Sequence, residues 1–350
     1  MSLKTNPTCL SCSLLSVFLL FFQFCFAQPD FSQADALLQK NQKLLGNGVV
    51  ALIYKDGKVI HSKELGEFNA KTAAPIASCS KWLTAALVMI FVDEGKIKLD
   101  DPVSKYIPIF DKYMKSYVTI RQCLAHTTGI ENDKGNLLKM MQRGKYMNLE
   151  EVVNAIAAKE ISNNAGTEFH YGAIGPNIAG RVMEVVSKKP FDRLIQEKLL
   201  RPLKMKQTSF VNENGFAPNP AGGARSSAND YINFLSMILN KGVFEGKQIL
   251  SAQAIAEMQK PQFTSLPVKF TPKIAEGWHY GLGEWIQEED ANGNSIVVSS
   301  PGLFGTWPYV DKCRNYAAIV LTKSLLGEQK KDIMMEFKAA VDEAVGQCAN

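Results

Sequence analysis

The sequence predicts an α+β protein: one antiparallel β-sheet built from both ends of the chain and flanked by helices, with an all-helical region inserted between. Three observations carry this reading. β-rich runs broken by turn residues cluster towards the two ends of the chain. The stretch from "LDDPVSKYIPIF" to about Lys206 is mostly helical in pattern. No internal repeat or low-complexity linker separates these parts, so residues 28–350 read as one domain. The sheet region is expected over about 28–100 and 225–350, and the helical region over about 101–224.

Residues 1–27 read as a signal peptide. Lys4 supplies a basic start, "LLSVFLLFF" (14–22) an apolar core of signal-peptide length, and Cys25 and Ala27 small residues. Cleavage is expected near Ala27, which makes the mature protein exported, periplasmic or extracellular. The rival reading is a retained anchor, for which the apolar run is short. No other run reaches spanning length; Trp82 to Val92 reads as a core helix. The remaining chain of about 320 residues is long enough for a sizeable core. Its formal net charge of +5 is mild, and no basic cluster is interleaved with aromatics, which argues against a nucleic-acid partner.

The mature chain opens on a short helix in "FSQADALLQKNQKLLG". "GVVALIYKDGKVIHSKELG" then gives two strands around an Asp56-Gly57 turn. The next run, Ser78 to Gly95, is an almost wholly apolar helix with Gly95 as its stop. Loops are expected at "AHTTGIEND" and "NNAGTEFHYGAIGPN". "SANDYINFLSMILNKG" is an amphipathic helix opened by Ser227 or Asn229 and closed by Gly242. "HYGLGEWIQEE", "NSIVVSSPGLFG", "TWPYVDKCRN" and "YAAIVLTK" are short strands, and "GEQKKDIMMEFKAAVDEAVG" is the last helix.

Cys79, Cys123, Cys313 and Cys348 follow the leader, and none has zinc-type spacing. About eight strand residues span roughly 26 Å, and about eighteen helical ones roughly 27 Å. The last helix therefore returns Cys348 towards the turn that holds Cys313. A disulfide and two free thiols both remain open.

Ser78 and Lys81 stand at i and i+3 on one helix face, where their side chains can meet. Serine needs a base to act as a nucleophile, and a buried lysine is more easily neutral, so the pair can share a proton. The unpaired N–H groups of a helix start favour a developing oxyanion. Chance supplies roughly one Ser-x-x-Lys in such a chain; the competing reading is a capping serine with a snorkelling lysine. Tyr171 in "EFHYGA" is a candidate second proton carrier. Ser300 and Gly302, at the end of the strand "VVSSPGLFG", are candidate substrate contacts. Pro301 has no N–H, so Leu303 would pair with Ser78 as oxyanion donor. Trp307, with Phe304 and Tyr309, is a candidate acyl-pocket wall, though core packing explains these as well. The four histidines are scattered, and His126 reads as ordering its loop. No metal or organic cofactor is implied.

In this order the motifs resemble the serine β-lactamase and penicillin-binding superfamily, in its class C-like branch of β-lactamases, D-amino-acid peptidases and esterases. "IASCSKWLTAALVMIFVDEGKIKLDDPVSKYIPIF" is similar to the nucleophile helix and its continuation, "LAHTTGI" to a His-Thr-Ser-Gly-Leu-type loop, and "GTEFHYG" to the run before the catalytic tyrosine. "GGARSSANDYINFLSMILNKG" and "YGLGEW" are similar to later landmarks. The resemblance implies Ser78 as acylated nucleophile, Lys81 as proton acceptor and Tyr171 as partner base and activator of the deacylating water. Two departures stand out. Ala173 replaces the Asn of the family's Tyr-x-Asn, and Ser300-Pro301-Gly302 replaces a motif that begins with a cation. Arg225 either replaces that charge or is a surface arginine. The expected function is an exported serine hydrolase acting on a small-molecule or peptide ester or amide, esterase- or peptidase-like rather than an efficient β-lactamase. The alternative is a binding or sensing member of the fold that is acylated without turnover or is not catalytic.

Overall fold

Alternation along the central strands decides the layering. The structure is a computed structural model that describes residue 1 and residues 29–132, 145–324 and 330–348; the apolar run of the expected leader and its cleavage site lie outside them. Among the described residues one seven-stranded sheet forms. Its strands are β1 (Val49–Lys55), β2 (Lys58–Leu65), β3 (His279–Tyr280), β4 (Trp285–Glu289), β5 (Ser295–Ser299), β6 (Trp307–Asp311) and β7 (Tyr316–Thr322). Their spatial order is β2-β1-β7-β6-β5-β4-β3, with every neighbouring pair antiparallel. The β1–β2 hairpin turns at Asp56 and Gly57, both at positive φ. The last strand lies beside the first, with Val49 opposite Thr322.

The flanking helices are α1 (Ser32–Asn41), α2 (Ser80–Asp93), α3 (Leu149–Ala157), α4 (Ile174–Ser187), α5 (Ala228–Leu239) and α6 (Lys331–Val345). On one face of the sheet Val49, Ala51 and Ile53 pack with Leu38 of α1 and Phe337 and Val341 of α6. On the other face Val50, Leu52, Ile319 and Leu321 pack with residues of α2 and α5. From Ser80 to Phe91 every residue of α2 is buried. A helix enclosed on all sides needs no polar stripe, which is why its sequence is apolar almost throughout. Residues 101–224 carry helices and, among those described, only the two-residue strand Phe169–His170, which pairs with Val268–Phe270.

The last helix is tied down. Cys313 and Cys348 are joined in a disulfide, with Cα atoms 4.8 Å apart, as the strand and helix lengths allow. Beside it, buried Lys338 of α6 meets Asp342 at 2.7 Å, Glu288 at 3.0 Å and Asp311 at 3.5 Å. Among the described residues no helix is long and apolar enough to cross a membrane.

Candidate active site

Ser78 sits on a single 3-10 turn, Ala77–Cys79, that leads directly into α2. The residue before it, Ala77, holds a left-handed backbone with φ +45°, a conformation that costs a side chain roughly 1 kcal/mol or more. The surroundings hold the turn in place. Ser80 Oγ donates to the Ala77 carbonyl (2.6 Å) and accepts from the Ala224 amide (3.0 Å). The Tyr231 hydroxyl of α5 donates to the Cys79 carbonyl at 2.8 Å.

Lys81, one helical turn on, is 4% exposed. Its Nζ donates to Ser78 Oγ at 3.1 Å and to the Ala221 carbonyl at 2.7 Å, and lies 4.7 Å from the centre of the Tyr171 ring. Thr84, on the same helix, donates to the Pro220 carbonyl at 2.8 Å. The segment from Pro220 to Ala224 thus straps the Ser78 turn and the lysine together. Nothing in the local pattern of that segment signalled this; its carbonyls act only because the fold lays them on α2.

Tyr171 is 7% exposed and enters from the opposite side, between the strand Phe169–His170 and α4. Its amide donates to the Phe270 carbonyl at 3.1 Å. Its ring packs against His126, Trp285 and Tyr280, with centroids 4.7, 5.1 and 5.9 Å apart. His126 pairs through Nε2 with the Tyr280 hydroxyl at 3.2 Å. Burial first, and then the charges of Lys81 and His170, hold its imidazole well below the usual histidine range, so it stays neutral at neutral pH. It is a packing and hydrogen-bonding residue of the tyrosine loop, in line with the loop-ordering role read from the sequence.

The edge after β5 closes the third side. Ser300 Oγ points back to the Ser78 carbonyl at 3.4 Å. Gly302 is pressed onto the turn before Ser78: a Cβ there would stand 2.3 Å from the Ile76 carbonyl oxygen and 3.1 Å from Cys79 Sγ. Leu303 follows it in the same turn and is half-buried. Burial pushes the Cys79 thiol far above its ordinary value, so this neighbour of the serine is an inert core residue.

Two expectations need correction or choice. Trp307 and Tyr309 do not line an acyl pocket; both belong to the core cluster between the sheet and α1/α6, on the face away from α2. Their alternation with Val310, which packs on the α2 side, turns them there. Arg225 is exposed and donates to the Ala73 carbonyl at 3.0 Å, which makes it the surface arginine. Ser78, Lys81, Tyr171, Ser300 and Gly302 are brought together around one turn.

The fold is shared with many hydrolases. A candidate β-lactamase from Bacteroides dorei superposes with a TM-score of 0.80, at 29% identity over 91% of this chain and 100% of that one. A D-stereospecific amidohydrolase from Streptomyces superposes at 0.68, with 21% identity over 89% of this chain and 99% of that chain. EstCE1, a hydrolase with promiscuous acyltransferase activity, superposes at 0.70, with 19% identity over 88% and 99%. Among curated relatives, Protein flp of Staphylococcus aureus is 30% identical over 194 residues. That match covers 52% of this chain but only 39% of the flp chain. The family model for β-lactamase matches residues 36–342, and with it this chain belongs to the β-lactamase family of serine β-lactamases and penicillin-binding proteins.

Proposed function

We propose that the protein is a serine hydrolase that cleaves an ester or amide through an acyl-enzyme on Ser78. The observation that carries this is the buried Lys81 amine, held 3.1 Å from Ser78 Oγ and against the Tyr171 ring. That contact gives the serine a base within hydrogen-bonding reach, the geometry that a nucleophile requires. Lys81 takes the hydroxyl proton as Oγ bonds to the substrate carbonyl carbon. The backbone N–H groups of Ser78 and Leu303 hold the resulting oxyanion. As the tetrahedral intermediate collapses, the bond to the leaving group breaks and Tyr171, with Lys81, returns the proton to it. Water, deprotonated by the same pair, then attacks the acyl carbon and frees Ser78.

An uncharged or weakly charged substrate fits best. The position where the family carries a cation holds Ser300, whose hydroxyl is turned to the Ser78 carbonyl, and Arg225 faces solvent. A carboxylate-bearing β-lactam therefore lacks its usual partner there. The reading includes export after cleavage near Ala27. The Cys313–Cys348 disulfide supports it, since such bonds persist in oxidising compartments.

The test is hydrolysis of a short-chain p-nitrophenyl ester by the wild type and by Ser78→Ala, with intact mass recorded for both. Turnover and an acyl adduct, both lost in Ser78→Ala, are expected. Equal rates without an adduct would remove Ser78 as the nucleophile. An adduct that never releases would move the protein to the sensing class.

A further inference from the structure

The loop that carries Tyr171 lacks the family's own amide, since Ala173 cannot hydrogen-bond through its side chain and opens α4 without a side-chain cap. A different amide stands at this loop. Asn132, from the stretch after "AHTTGI", donates through Nδ2 to the Tyr171 carbonyl at 3.3 Å and to the His170 carbonyl at 3.5 Å. It is admitted by the residue between tyrosine and alanine. A Cβ on Gly172 would stand 1.7 Å from Asn132 Nδ2 and 2.5 Å from its Cγ, so the amide occupies the space that any side chain at 172 would need. Gly172 does not lie in the left-handed region, so it is the space and not the backbone that demands glycine.

We infer that Asn132 is the positioning residue of Tyr171: an amide delivered from a separate loop that fixes the tyrosine main chain, and thereby its ring over Lys81. This rests on the acyl-enzyme reading above. The main chain of Tyr171 is gripped at both ends, its N–H by the Phe270 carbonyl and its C=O by Asn132. Loss of one grip lets the ring rotate away from the Lys81 nitrogen, and a displacement of about 1 Å at a reacting group costs about 100-fold in rate.

The experiment is a double-mutant cycle on the full-length mature chain with the p-nitrophenyl ester, using Asn132→Ala, Gly172→Ala and the double variant, plus Asn132→Asp, which keeps the shape but has no N–H to donate. Both kcat and KM are measured across pH, alongside the thermal midpoint. Asn132→Ala and Asn132→Asp are expected to lower kcat by at least tenfold with little change in KM, and to shift the pH profile of kcat. Gly172→Ala is expected to be as damaging alone but to add nothing in the Asn132→Ala background, because the clash is gone. Independent, multiplying losses overturn the proposal, as does a kcat in Asn132→Asp equal to the wild type. Turnover that survives Ser78→Ala sinks the acyl-enzyme reading instead. In that case the thermal midpoints of the same four proteins still show whether Asn132 and Gly172 are coupled.

Discussion

A carboxyl group buried beside α2 makes stability fall as pH rises. Glu284 follows Gly283, whose backbone is so close to α2 that a Cβ there would stand 2.9 Å from the Lys81 carbonyl oxygen. The Glu284 side chain is fully buried, and its carboxyl faces the Trp82 indole N–H without a well-formed hydrogen bond. Burial pushes this carboxyl from the ordinary 4.5 up to about 8, against the opposing pull of the Lys312 charge. Lys312 is itself held by Gln259 at 2.9 Å and Ser295 at 2.6 Å. Between pH 4.5 and about 8 the unfolded chain has lost this proton and the folded chain keeps it. Stability then declines by about 1.4 kcal/mol per pH unit. Over the whole window the decline is on the order of 3–5 kcal/mol, or on the order of 10 °C in Tm for a chain of this size. Below pH 4.5 and above about 8 the group adds no further slope. Glu284→Gln removes the titration. Thermal unfolding of both proteins at pH 5, 6.5 and 8 is expected to show their Tm values diverging in favour of Glu284→Gln as pH rises. A constant offset reflects only the burial of the new amide. Two parallel curves across this range would refute the reasoning.

Two further perturbations follow from the same geometry. Gly302→Ala drives a methyl group into the Ile76 carbonyl, now 2.3 Å away, and the yielding part is the turn before Ser78; ester kcat/KM is expected to drop about 10- to 100-fold, and an unchanged value would mean that the β5 edge moves instead. Replacing Cys313 and Cys348 together by Ser opens a closure of 35 residues, worth about 3–4 kcal/mol on loop-entropy grounds; urea midpoints of oxidised wild type and the double variant measure it, and coincident midpoints would show that the Lys338 ion pairs hold α6 alone.

Much of the fold was legible because its signals are local. The Asp56-Gly57 turn, the Gly95 stop and the Ser227 cap, which accepts from the Asp230 amide at 3.2 Å, each act within a few residues. Ser78 and Lys81 were legible for the same reason, since i and i+3 on a helix are neighbours whatever the rest of the chain does. The side to which Trp307 and Tyr309 turn was not. Both faces of β6 are buried, so no polar alternation marks which residues look towards α2 and which towards α6. Asn132, the Pro220–Ala224 carbonyls and the Phe270 carbonyl were equally hidden. Each reaches the site from a segment distant in sequence, using backbone atoms or a common polar side chain that leave no pattern to read. The short parallel pairing of Phe169–His170 with Val268–Phe270 is of this kind too: two or three residues carry no periodicity.

The placement of β7 beside β1 has a consequence for how the chain comes into being. Val49 has to wait for Thr322, so during vectorial synthesis the N-terminal hairpin exists long before the strand that covers its inner edge. Pairing across so large a sequence separation is slow, and an uncovered edge invites pairing with other chains in the meantime. The Ser78 turn waits as well, because the amide of Ala224 and the carbonyl of Ala221 that pin it are made some 140 residues after it. A nascent chain therefore carries the Ser78–Lys81 sequence through some 140 residues of further synthesis without the scaffold that holds the pair in place. Truncation between the hairpin and the last strand leaves β1 with an uncovered edge and α2 without Ile319 and Leu321 of the core that encloses it.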